Sequence, residues 1–477
     1  MNRIAVALSL SVAAACNAPA EAPPLPPDDL PLVEGLVPAE DEDPRIGFVR
    51  YTVVAQKADV ELVAGQVAHA WTYNGTVPGP LLQARVGDEI TVEIKNDLDE
   101  ATTIHWHGVR VPNEMDGIVE GEMLAIEPGA SFTATFIARD AGTFWFHPHI
   151  RTNVQIERGL QGVLVIHEAA EDMPDVDADR AFVLDDVYLN DDGTIAPFGS
   201  GMEVMHGRFG NVLLVNGSET VPSFKFGAGR VERWRLVNTA NARTMVVRFP
   251  GLAVRHVGAD GGLWPQTFCK DIQELELPVG ARAELEVRIA DGVDVASLVS
   301  VVLALDENDD VIEIELPLAE VTRDADAPAG ARPGHKKSPS FTYLDDGTPT
   351  HTLRLGGYNS NGSIVFTING VAYPNFEDWS VTQNEPAIIE VVNDLMMEHP
   401  FHLHGQFFQV VSRTGALFDD AGWRDTTLIR SQERIRLATR FDNPGMWMYH
   451  CHILEHEENG MMGMVMVEPA ADAETME

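Results

Sequence analysis

Residues 88 to 96 read Asp88-Glu-Ile-Thr-Val-Glu-Ile-Lys-Asn96. Apolar and polar side chains alternate, the pattern of a strand with one buried face. Asn74-Gly75, a turn-forming pair, stands upstream. The same unit recurs twice. Asn216-Gly217 precedes Arg230-Val-Glu-Arg-Trp-Arg-Leu-Val-Asn238, and Asn369-Gly370 precedes Ala387-Ile-Ile-Glu-Val-Val-Asn393. From turn Asn to closing Asn the spacings are 22, 22 and 24 residues. A turn, a strand and a terminal Asn repeated in this way indicate three copies of one architecture. The remaining chain is built of short β-like runs, such as Phe132-Thr-Ala-Thr-Phe136 and Gly162-Val-Leu-Val-Ile166, broken by Gly, Pro, Asn and Asp. Helical periodicity is scarce. The fold class is therefore all-β, of sandwich or barrel type.

At 477 residues the chain has room for about three domains. Its 33 basic and 73 acidic side chains leave a net charge of -40. Such a surface repels nucleic acid and anionic membranes, attracts cations and stays soluble at high salt. Cys16, Cys269 and Cys451 are too few, and odd in number, for a disulfide framework. Cys269 has no ligand pattern around it and reads as a core residue of the second copy. The N-terminus, MNRIAVALSLSVAAAC, has an Arg, a short apolar run and small residues, as export signals do. Ala13-Ala14-Ala15-Cys16 resembles a lipobox, which would make Cys16 a lipid-bearing terminus and the only membrane attachment. Ala18-Pro19-Ala20 offers ordinary cleavage instead. Either route places the protein outside the cytoplasm: periplasmic, on the outer surface as a lipoprotein, or secreted.

The expected organisation is a signal over 1–20, a Pro-rich acidic tether over 21–44, a first domain over 45–168 and a second over 169–322. A Pro/Gly-rich linker over 323–343, a third domain over 344–470 and an acidic tail over 471–477 complete the chain. After the closing Asn, domain one carries His105-Trp106-His107-Gly108 and domain three carries His399-Pro-Phe-His402-Leu-His404-Gly405. Domain two has no His at that place. Metal chemistry therefore belongs to the outer copies, and the middle copy reads as a spacer.

The densest ligand stretch is Asn443 to Met466, with His450, Cys451, His452, His456 and Met461. A Cys with His and a weak axial Met is the donor set of an electron-transfer copper. On a strand, Cys451 faces one side while His450 and His452 face the other. One covalent path then links an electron entry point to a second metal site. His105 and His107, His147 and His149, His402 and His404, and His450 and His452 form four pairs spaced i, i+2, each sharing a strand face. Eight paired imidazoles exceed one tetrahedral zinc site. His399, Cys451 and His456, with Met461 axial, remain for a separate copper.

These motifs, in this order, closely resemble those of the three-domain multicopper oxidases, the family of laccases, bilirubin oxidases and bacterial cuprous oxidases, over roughly residues 48 to 468. The resemblance implies three cupredoxin-like Greek-key β-barrel domains and four copper ions. Type 1 copper would be held by His399, Cys451 and His456 with Met461, and type 2 by His105 and His402. The type 3 pair would be held by His107, His147, His149, His404, His450 and His452. Single electrons would enter at type 1, and dioxygen would be reduced to water at the trinuclear site between domains one and three. Asp116 and Glu457 match proton-relay carboxylates of bacterial members. Asp425 matches a position near a type 1 His, where it would steer a cation or accept a phenol proton, or else serve structural hydrogen bonding in its loop.

The expected function is a copper-dependent oxidase of laccase type, with phenols, aromatic amines or low-valent metal ions as donors. One alternative is a metallo-oxidase specialised for Cu(I), Fe(II) or Mn(II), although the long Met-rich insertion of cuprous oxidases is not seen in domain three. The alternative from another class is a non-catalytic copper-binding or scaffold protein of the envelope. The complete ligand set argues against a scaffold.

Overall fold

The computed structural model describes residues 30–118, 125–199, 201–227, 229–306, 310–327 and 347–470. The expected signal with Cys16, most of the linker and the acidic tail lie outside the described residues.

Three β-sandwiches follow one another. The first pairs two four-stranded sheets, the second an eight-stranded with a five-stranded sheet, and the third a six-stranded with a five-stranded sheet. In each, the strand of the repeat lies parallel to the first long strand of its sandwich. Glu89–Asn96 runs beside Phe48–Val63, Glu232–Asn238 beside Ala178–Val187, and Pro386–Asn393 beside His351–Ser360. The alternation read from Asp88 onward is the burial pattern: Ile90, Val92 and Ile94 are fully buried. Each contributes about 1.5–3 kcal/mol by leaving water.

The repeated asparagines do the same work in all three copies. Asn74, Asn216 and Asn369 adopt φ of 56°, 52° and 52° at the turn. Their side-chain oxygens accept the N–H of Val54, Val183 and Arg354 at 2.6, 2.7 and 2.7 Å. A short polar side chain tolerates this left-handed backbone. The closing asparagines pin the loops that follow the strands. Asn96, Asn238 and Asn393 accept the N–H of Leu98, Ala240 and Leu395 at 3.0, 3.1 and 2.9 Å. Their amides also bond carbonyls across each loop. In domains one and three these pinned loops deliver the His motifs.

Two expectations change. The stretch after residue 30, expected to be an exposed tether, is partly built into the fold. Val33–Glu34 pairs parallel with Ala178–Val187. Val33 is buried against Leu81, Val163 and Ala181 among others, so its apolar side chain outweighs the polar composition around it. Cys269 is only half-buried, at the end of a short turn on the second sandwich, and is not part of its core.

Candidate metal centre

The ligand positions follow from strand register. His399–Leu403 and Gly445–Cys451 lie antiparallel, with Phe401 opposite Cys451 and His402 opposite His450. Alternate side chains face opposite ways. His402 and His450 therefore share one face, and His399 and Cys451 the other. In domain one, His105–His107 pairs with Gly142–His147, so that His105 stands opposite His147. The two domains turn these faces toward each other.

On the first face, His399, Cys451 and His456 can hold one ion. His399 Nδ1 lies 3.3 Å from Cys451 Sγ, His456 Nδ1 lies 3.7 Å from the same sulfur, and the two Nδ1 atoms are 3.2 Å apart. Bonds of about 2.0–2.3 Å to a central ion in a trigonal plane set donors about 3.5 Å apart, so the triangle fits a copper. Met461 is fully buried beside it. Its carbonyl accepts Cys451 N–H at 3.1 Å, and its N–H donates to His456 O at 3.0 Å. Burial pushes the Cys451 thiol up and the His399 imidazole down to about 4. The imidazole is thus a ready neutral ligand, and a bound cation is what stabilises the thiolate there.

On the second face, overlapping three-His groups form: His107, His147 and His452; His149, His404 and His450; His105, His402 and His404; and His105, His147 and His149. Taking the first two, which share no residue, leaves His105 and His402, with ring centroids 5.9 Å apart. The eight imidazoles can thus be divided into a pair of three-His sites with a two-His site beside them. Their ring nitrogens include His105 Nε2, His107 Nδ1, His147 Nε2, His149 Nε2 and His402 Nε2, all buried and without a hydrogen-bond partner. Buried polar atoms are rarely left so. Copper ligation accounts for them, and the residues fit a trinuclear centre. Burial, reinforced by neighbouring imidazoles, holds His107, His147, His149, His404 and His452 well below the usual histidine range.

Three carboxylates meet the opposite nitrogens. Asp116 Oδ2 accepts from His404 Nδ1 at 3.0 Å, and Asp116 O accepts from His105 Nδ1 at 2.8 Å. Glu457 sits 3.2 Å from His149 Nδ1 and 3.3 Å from His450 Nδ1, and accepts the Thr152 hydroxyl at 3.0 Å. Burial pushes the Glu457 carboxyl up. Asp425 Oδ1 lies 3.3 Å from His107 Nε2 and 3.5 Å from His402 Nδ1.

The placement of Asp425 corrects an expectation. Of its two readings, a place near a type 1 His where it meets the donor gives way to structural hydrogen bonding. Asp425 is fully buried against the trinuclear ligands, ion-paired to Arg282, where no donor reaches it. It lies between the strands Ala416–Arg424 and Thr426–Ile429, so strand alternation does not aim its side chain; the paired bonds from Arg282 hold it toward the trinuclear face. The middle domain is also more than a spacer. Arg282 and Asp260 brace Asp425, and a Cβ on Gly280 would lie 2.8 Å from the His452 ring. None of these was singled out in the sequence. No signal marked Arg282: charged and apolar residues alternate regularly through Arg282–Ile289, and only the fold buries Arg282 and Glu284.

One cover over the first face was also illegible. The short helix α2 (Gly201–His206) of domain two packs on α3 (Leu454–Glu458), which carries His456. His456 Nε2 donates to Met205 O at 3.2 Å. Arg208, just after α2, seats it by donating to Glu455 Oε2 at 2.9 Å and to Glu157 Oε1 at 2.7 Å. Glu157 ends the helix α1 (Thr152–Glu157) of domain one.

An all-β chain with a mononuclear Cys–His centre, one residue from a trinuclear His centre shared by its outer domains, is a blue copper protein built for electron transfer to a second copper site. Comparison with known proteins agrees: the family described as multicopper oxidase matches residues 54–171 and 341–471, and the chain belongs to that family. It is 30% identical over 448 residues to the multicopper oxidase mco of Staphylococcus aureus, covering 88% of this chain and 89% of that protein. The crystal structure of the multi-copper oxidase from Pseudomonas thermotolerans has a TM-score of 0.76 and 31% identity, covering 88% of this chain and 99% of that one. The Campylobacter jejuni multicopper oxidase, described as a metallo-oxidase, has a TM-score of 0.77 and 27% identity, covering 93% and 99%. The three domains have the cupredoxin fold of these neighbours. The protein is a copper-dependent oxidase, and the family binds four coppers of types 1, 2 and 3.

Proposed function

We propose that the electron donor is a low-valent metal ion, with Cu(I) the best chemical fit, rather than a bulky phenol. The observation that carries this is the cap: His456 Nε2, the edge through which an aromatic donor would pass an electron, is bonded to Met205 O of α2. His399 and His456 are both fully buried. On the outer side of α2, Met202 and Met205 are 65% and 38% exposed. At i, i+3 they share a helix face, and thioethers are soft ligands suited to Cu(I). The net charge of -40 attracts cations to the surface. The description of the Campylobacter jejuni relative as a metallo-oxidase supports the same reading.

Copper held by His399, Cys451 and His456, and by the eight imidazoles of the second face, would supply one-electron transfer and dioxygen reduction. The chain's own residues position these centres. Cys451 lies between His450 and His452, so the covalent route between the two sites is one residue long in either direction. Asp116 and Glu457 each face two ligand imidazoles, and in this reading they bring the protons that water formation consumes.

Oxygen uptake by the copper-loaded protein, offered Cu(I) and a simple phenol in parallel, tests the proposal. Faster uptake with Cu(I), lost in Cys451→Ser, is expected. Replacing residues 201–206 with a Gly/Ser loop lowers the Cu(I) rate and raises the phenol rate. Faster uptake with the phenol in the unaltered protein, unchanged by the replacement, refutes the donor assignment and restores the laccase reading.

A further inference from the structure

The middle domain contributes none of the His, Cys or Met donors assigned to the resident coppers, yet its Arg282 reaches the trinuclear site. We propose that Arg282 is a positioning residue: through Asp425 it fixes which ring nitrogen His107 and His402 present to copper.

The guanidinium is fully buried and uses all five of its N–H donors. Nη1 donates to Asp425 Oδ1 at 2.7 Å and Gly280 O at 3.3 Å. Nη2 donates to Asp425 Oδ2 at 2.6 Å and Asp260 O at 3.1 Å, and Nε donates to Thr143 O at 2.8 Å. Thr143 belongs to domain one, Asp260 and Gly280 to domain two, and Asp425 to domain three. One side chain thus ties all three domains at a single point. The paired bonds to Asp425 have the fork geometry that Arg alone provides. Asp260 adds to the grip: its Oδ1 accepts Arg282 N–H at 2.7 Å, and its Oδ2 accepts Thr426 N–H at 3.1 Å.

Held in this way, Asp425 and Thr426 occupy the outer nitrogens of two ligands. Asp425 O accepts from His402 Nδ1 at 3.0 Å. The Thr426 hydroxyl donates to Asp425 Oδ1 at 2.8 Å, and its oxygen lies 3.2 Å from His107 Nε2. Asp425 Oδ1 itself lies 3.3 Å from His107 Nε2. An imidazole that donates through one nitrogen offers the lone pair of the other. His402 is left with Nε2 and His107 with Nδ1, and both of those atoms are unpartnered. His105, two residues from His107, is set the other way: Asp116 O takes its Nδ1 at 2.8 Å, and its Nε2 is unpartnered. The two histidines of one His-x-His motif therefore use different nitrogens, and the Arg282–Asp425 pair enforces the difference.

The following glycine makes room for this pair. A Cβ on Gly108, at φ +84°, would sit 2.2 Å from Arg282 Nη2 and 2.5 Å from Asp425 Oδ2. The Gly that closes His105-Trp106-His107-Gly108 is thus explained by a residue of another domain.

Arg282→Lys is the discriminating variant, since it keeps the charge and removes the fork. Copper-reconstituted protein is read by copper per chain, by blue type 1 absorption and by the type 2 EPR signal. Blue absorption at the level of the unaltered protein is expected, together with a changed type 2 hyperfine pattern. Trinuclear copper affinity falls about 10–100-fold, as for other partners of metal-bound histidines. Asp425→Asn gives the same signature, and the double variant adds little beyond either change. Full copper with an unchanged type 2 signal in Arg282→Lys overturns the proposal. Loss of blue absorption in step with trinuclear copper overturns it as well, because Arg282 would then serve the domain assembly as a whole.

Discussion

A single methyl group in the domain without donors to the resident coppers will damage the trinuclear site. Gly280 has φ +82°, and a Cβ there lies 2.8 Å from His452 Cδ2, 3.0 Å from His452 Nε2 and 3.1 Å from His107 Cε1. Alanine in left-handed backbone costs about 1–2 kcal/mol. Relaxed carbon contacts sit at about 3.5–4.0 Å, so the imidazoles must retreat by about 0.5 Å or more. Overpacking of this kind costs about 1–3 kcal/mol. Gly280→Ala should therefore lose about 2–5 kcal/mol of stability. The displacement exceeds the tolerance of about 0.2 Å within which metal–ligand distances hold. Trinuclear copper falls while the type 1 centre, on the opposite strand face, keeps its blue absorption. Gly292→Ala is the matched control: its φ is +75° and nothing lies within 4 Å, so only the backbone part of the cost applies and the copper spectra stay unchanged. Denaturant unfolding, copper stoichiometry and the optical spectrum of both variants make the comparison. Full copper loading and a normal trinuclear spectrum in Gly280→Ala would show that the middle domain does not press on the ligands.

One contribution to the pH dependence of stability comes from Asp185. Burial and the neighbouring Asp186 push the Asp185 carboxyl up to about 8. The unfolded chain releases that proton near pH 4, so between about pH 4 and 8 the native state holds more protons and stability falls as pH rises, by at most about 1.4 kcal/mol per unit. Asp185→Asn should flatten this slope in denaturant titrations across that range, and an unchanged slope would assign the dependence elsewhere. Val33→Ala, which empties part of the core joining the N-terminal segment to the first two domains, should cost about 1–3 kcal/mol. No change in the unfolding midpoint would mean that this strand detaches in solution.

The repeat and the ligand set were legible because both are local. Asn-Gly turns, alternating strands and His at i, i+2 depend on backbone geometry over a few residues, so spacing alone implied an all-β chain with metal ligands in its outer copies. The orientation of Asp425 was not local. Its partner Arg282 is 143 residues away, in a domain without donors to the resident coppers, and only the packing of three sandwiches joins them. The same holds for α2, whose Met205 lies 251 residues from the His456 it covers, and for Val33, whose burial contradicts the polar composition around it. The sequence by itself determined the strands, the copies and the clusters of candidate copper donors, because side-chain chemistry and short-range periodicity suffice for those. The tertiary structure decided which nitrogen each histidine presents, which carboxylate serves which centre and how open the type 1 site is. Those properties arise from contacts between distant segments, whose energies no local pattern encodes.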